Sequence, residues 1–69
     1  MKTLKAAIER AGGITKLARE LKVSNQAIHG WLNGDYDIRA RHVARIAELT
    51  HVDAGELCKE IAARHREGT

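Results

Sequence analysis

Asn25, Gln26 and His29 carry side chains that both donate and accept hydrogen bonds. His29 follows Asn25 and Gln26 by four and three residues, so on a helix all three share one face. A carboxamide such as Gln26 pairs bidentately with N7 and N6 of adenine, and Asn25 can do the same or bond a phosphate. The imidazole of His29 can meet a base edge or a phosphate. The plainer alternatives are an exposed polar residue at His29 and, at Asn25, the ordinary preference of Asn for helix starts.

Two short helices would have to position these groups. In residues 14–33, ITKLARELKVSNQAIHGWLN, Leu17, Ala18 and Leu21 form one apolar stripe. Ala27, Ile28, Trp31 and Leu32 form a second. Ala18 is small where the helices would cross, and Val23 sits in the turn, where it would plug the corner. Ser24 is a good N-cap, its hydroxyl placed to accept from the amide of Gln26 or Ala27. Asn25 and Gln26 then fall in the first turn, beside free backbone amides and the positive end of the helix dipole. This is the layout of a helix-turn-helix, which sets the start of its second helix against base edges in the major groove.

Charge supports the same reading. Residues 1–15 carry a formal +2, residues 16–45 carry +3 and residues 46–69 carry −2. The basic part coincides with the two helices and their flanks, the footprint of a phosphate binder. Thr15 and Lys16 stand near the start of the first of these helices, Ser24 at the start of the second, and Asn33 follows it. All four are candidate phosphate contacts. Arg39 and Arg41 open the next helix, where cations oppose the dipole. That placement is poor for helix stability and suits a phosphate clamp. Arg19 and Lys22 flank the turn and are either contacts or solvated.

Residues 12–34, GGITKLARELKVSNQAIHGWLNG, resemble the helix-turn-helix of the Cro/C1-type repressor superfamily. They look closest to small phage Cro-like repressors and YdaS-type prophage regulators. The resemblance extends over residues 3–63 and matches the buried positions at Leu17, Ala18, Leu21, Val23, Ile28 and Trp31. It departs at Lys22, where the family usually has Gly; a left-handed Lys costs roughly 1–2 kcal/mol. By position, the resemblance implies base contacts from Asn25, Gln26, His29 and Gly30. An interior helix glycine costs about 1 kcal/mol, so Gly30 marks either close approach of the backbone to DNA or a tolerated weak residue. The resemblance also implies a sequence-specific repressor of phage or prophage origin. It would bind a near-palindromic double-stranded operator as a weak or DNA-stabilised homodimer, with half-sites about 34 Å apart. The alternative is an antitoxin-like or other partner-binding regulator, with or without DNA binding.

The expected fold is all-α: one domain over residues 1–69, a compact lambda repressor-like bundle of about five short helices. Thr3 would cap a first helix from Leu4 to Ala11, ended by Gly12 and Gly13. Gly34 would close the second helix of the motif, and Asp35-Tyr36-Asp37 would form a polar loop. A fourth helix from about Arg39 to Thr50 would bury Val43, Ala44, Ile46, Ala47 and Leu49. Asp53 and Glu56 have capping-box spacing. They start a fifth helix near Ala54, whose inner face would be Ala54, Leu57, Cys58, Ile61 and Ala62. His51 would lie in the turn between them, and the tail from 64 to 69 would fray. The acidic C-terminal part suits a face away from DNA, which puts the candidate dimer interface on the fourth and fifth helices.

Other chemistry finds little support. None of His29, His42, His51 and His65 forms an H-x-x-x-H pair. Cys58 and His65 would lie roughly 10 Å apart along a helix, too far to share a metal. Cys58 reads as a small buried hydrophobe, Trp31 as core rather than a stacking platform, and Asp35/Asp37 as lacking an acid–base geometry. No catalytic residue, metal, cofactor or small-molecule substrate is expected. With one cysteine there is no internal disulfide. With no signal peptide and no long apolar run, no membrane role is expected. The reading is a cytoplasmic, nucleoid-associated protein of a bacterial or phage-infected cell.

Overall fold

The computed structural model describes residues 1–67, with the side chains of residues 1–64. Among them are five helices and no strand: α1 (Lys2–Ala11), α2 (Ile14–Leu21), α3 (Asn25–Asn33), α4 (Ala40–Thr50) and α5 (Ala54–Glu67). Each commits one large, fully buried aliphatic side chain to a common core: Leu4, Leu17, Ile28, Ile46 and Leu57 in turn. Each such burial contributes about 1.5–3 kcal/mol. Ala7, Ala18, Leu21, Trp31 and Val43 complete the core, with Ile38 from the loop before α4. The radius of gyration, 11.0 Å, equals the roughly 11 Å of a packed chain of this length. Thus α5 folds back on the body, against α1 and α4. α3 packs chiefly on α2. None of the helices is long and apolar enough to cross a membrane.

Helix ends are set locally where the sequence carries the signal. After α1, Gly12 turns left-handed, and the amides of Gly12 and Gly13 donate to Glu9 and Ile8 at 3.1 and 2.9 Å. This is the paired closure of a Schellman motif. α2 ends identically, with Lys22 and Val23 donating to Arg19 and Ala18 at 3.2 and 3.0 Å. Here the left-handed residue is Lys22, at φ 58°. Val23 follows it and packs half-buried against the core. Asp53 Oδ1 accepts from the amides of Gly55 and Glu56 at 2.7 and 3.2 Å, fixing the start of α5.

Left-handed Gly34 and His51 close α3 and α4 locally, donating to the carbonyls of Gly30 and Ala47; three helix ends also gain a partner from across the molecule. Thr3 is not the cap of α1: the helix begins at Lys2, and the Thr3 amide donates to Glu60 Oε1 at 2.9 Å. The Thr3 hydroxyl donates to Glu60 Oε2. Arg10 Nη1 donates to the carbonyls of Thr50 and His51, at 3.1 and 3.0 Å, closing α4. Arg64 does the same for α3, as described below. In each case the sign of the charge complements the helix dipole.

Several expected positions move. Ala44 is exposed on α4. On α5, Cys58 and Ala62 are exposed, so Cys58 is not a buried hydrophobe. Both lie at the margin of the apolar stripe, which α1 and α4 cover only along its centre at Leu57. Helix α5 continues to Glu67, and the Arg64 side chain is bonded to α3. Residues 68 and 69 lie outside the described residues. His51 does lie in the turn after α4, left-handed at φ 61°.

Candidate nucleic-acid interface

The start of α3 is built by Ser24. Its backbone is extended, and its hydroxyl accepts from the Ala27 amide at 3.1 Å. The apolar stripe buries Ile28 and Trp31 inward. Asn25, Gln26 and His29 consequently point outward and are exposed. Asn25 Nδ2 donates to the hydroxyl of Thr15 at 3.1 Å. This bond ties a candidate base contact to a candidate phosphate contact on α2 and orients the carboxamide.

Beside α3 lies an open groove of about 540 Å³. Its lining includes Ser24, Gln26, Ala27 and Trp31, Tyr36 and Asp37 of the following loop, and Arg39 and His42. The structure therefore brings three of the expected site residues together, Ser24, Gln26 and Arg39. Arg41 is exposed at the start of α4 but does not line the groove. Lys16 is exposed on α2, its chain lying over Gly12. Asn33 is exposed and is the last residue of α3 rather than one beyond it.

Gly30 lies against the loop that follows α3. It is buried, and a Cβ built on it would stand 2.1 Å from Tyr36 Cδ2. The close approach that needs a glycine is made by the Tyr36 ring. The Tyr36 ring thus covers Gly30.

Three residues of this region went unassigned from sequence. Tyr36 is 62% exposed yet lays its ring on Gly30. A helix-interior glycine close in sequence to an aromatic residue was the available signal. His42 packs at a tilt against Trp31, ring centroids 5.5 Å apart at 40°. Its spacing of three from Arg39 was the signal. Partial burial first, then the positive charges of Arg41 and Arg39, lower its pKa below the ordinary histidine value. Arg64, from α5, donates through Nη1 to the Trp31 carbonyl at 2.6 Å and through Nη2 to that of Leu32 at 3.4 Å. No local pattern announces that contact.

An exposed row of bifunctional hydrogen-bonding groups, at a rigidly capped helix start and beside a groove with an arginine on its rim, can read base edges and hold an anion. In comparison with known proteins, no curated protein and no solved structure matches the chain. The model of one family, described as bacterial toxin YdaS, matches residues 4–63.

Proposed function

The chain belongs to the YdaS family, and on that premise we propose that it is a sequence-specific double-stranded DNA-binding regulator. α3 enters the major groove, Gln26 reads a base edge, and Asn25 and His29 assist. Thr15, Lys16, Ser24, Asn33, Arg39 and Arg41 hold the flanking phosphates. One observation carries the reading: the exposed Asn25, Gln26 and His29 share the capped start of α3 beside the groove that Arg39 lines. The bound form is a homodimer on a near-palindromic operator, and its effect is repression.

The test is selection of binding sites from a random duplex pool at two salt concentrations. An enriched near-palindrome, bound more weakly at the higher salt, is the expected result. Salt-sensitive binding without enrichment would reduce the protein to a non-specific binder. Absence of binding would reject the reading.

The family description, a bacterial toxin, favours a second reading in which expression of the chain arrests growth, alone or through a protein partner. The two readings separate with Q26A and R39A. If growth arrest follows from occupancy of DNA, both variants relieve it. If arrest persists in variants that no longer bind DNA, a protein target is responsible.

A further inference from the structure

Among the groups of the groove beside α3 that the base and phosphate contacts above leave unused is a histidine. His42 is half-buried in the groove lining, its ring packed at a tilt against Trp31. The ionisable groups around it come from two elements. α4 itself brings Arg39 and Arg41. The preceding loop brings Asp37 and Tyr36 to the same groove. α3 and its N-cap contribute Ser24, Gln26, Ala27 and Trp31 to the lining, none of which titrates in this range. Without an anion, two arginines and partial burial disfavour a third positive charge here, so the free imidazole is neutral at neutral pH.

We propose that this groove seats a phosphodiester of the bound DNA strand and that His42 takes up a proton as the phosphate arrives. The inference rests on the DNA-binding reading and adds to it a proton that binds with the DNA. The physical reason is reciprocal. A phosphate between Arg39 and His42 offsets the repulsion from the arginines and attracts the imidazolium. The protonated ring in turn donates from both nitrogens, where the neutral ring donates from one. Because the proton enters with the DNA, affinity rises as pH falls through the bound-state pKa and levels off below the free-state pKa. The sequence-independent share of binding carries this response, since the phosphate is common to every duplex.

Trp31 supplies a direct readout. It is the single tryptophan, and His42 lies against it. An imidazolium beside an indole quenches its emission more than a neutral imidazole does. The experiment titrates Trp31 emission of the full chain from about pH 8 to about pH 5, alone and with a short random-sequence duplex at low salt. Affinity for the same duplex is measured across that range. The quenching midpoint is expected at higher pH with DNA. Affinity is expected to rise on acidification, by about tenfold if DNA separates the two pKa values by one unit. H42Q should remove both responses, and H29Q should keep them. An unmoved midpoint, or an affinity independent of pH, overturns the proposal; so does a response that follows His29. Absence of salt-dependent binding at every pH fails differently, because it rejects the DNA reading beneath it. The emission titration uses the unaltered chain and does not depend on whether a variant folds.

Discussion

Arg64 closes the C-terminal end of α3 by donating to the main-chain carbonyl of Trp31 at 2.6 Å, from 33 residues further along the chain. Its guanidinium also reaches the Leu32 carbonyl, and its chain lies beside Gly34, the left-handed residue after the helix. The candidate reading helix is thus held at its start by Ser24 and at its end by α5. R64A should cost about 1.5–3 kcal/mol, the range for a hydrogen bond to a charged group. R64K should recover only part of it, because an ammonium lacks the planar fork. Thermal unfolding measures the cost. Amide exchange then shows whether it falls on α3; uniform loss of protection across all helices would refute a specific tie.

Gly30 and Tyr36 should be energetically coupled. In the wild-type background, G30A drives its methyl into the Tyr36 ring and displaces it. In a Y36A background the same change meets no ring and should stabilise by about 1 kcal/mol, the helix preference of Ala over Gly. A double-mutant cycle by chemical denaturation reads the difference. Equal effects of G30A in both backgrounds would show that the ring does not need the glycine.

Lys22 carries a left-handed backbone, φ 58°, at a position where glycine pays no steric cost. K22G should raise stability by about 0.5–1 kcal/mol, or roughly 2–8 °C in Tm for a domain of this size. A fall in Tm would mean that the Lys22 side chain contributes more than its backbone strain costs.

The lowered pKa of His42 makes stability depend on pH. The unfolded chain binds a proton near the ordinary value of 6.5, and the folded chain binds it only at lower pH. The contribution of His42 is therefore fully present above the unfolded value and is lost as pH falls toward the folded one. Denaturation of wild type and H42Q across this window should show a difference that shrinks on acidification. A difference independent of pH would remove the assignment.

Base reading and phosphate holding predict opposite signatures. Q26A should cost about 1–3 kcal/mol at one base position of a selected site and little on random DNA. R39A should weaken binding to all sequences and reduce the salt slope by about one contact. Interchanged behaviour would exchange the two roles.

Much of the site was legible because its signals are short-range. The stripes of α2 and α3, the Ser24 cap and the Asp53 cap all lie within a few residues of what they organise, and each was read at its observed place. Periodicity was less informative about width. It shows which face of a helix is apolar, but neighbouring helices decide how much of that face is covered. Ala44, Cys58 and Ala62 were therefore placed inside and are exposed. Ile38, in a segment with no helical period, was overlooked and is buried. Gly30 could be read two ways from sequence, and the Tyr36 ring adds a close approach that neither reading placed.

By itself, the sequence determined where the chain is helical, where most helices end and which three polar side chains share the outer face at the start of α3. Those features depend on hydrogen bonds spanning a few residues and on the helical repeat. The tertiary structure alone decided which charges from elsewhere in the chain add to the helix ends. Glu60 reaches Thr3 across 57 residues, Arg10 reaches Thr50 across 40, and Arg64 reaches Trp31 across 33. It also decided that His42, Tyr36 and Arg39 share one groove with Gln26. Such contacts leave no periodic trace, because they form only after the apolar faces have packed and brought distant helix ends together.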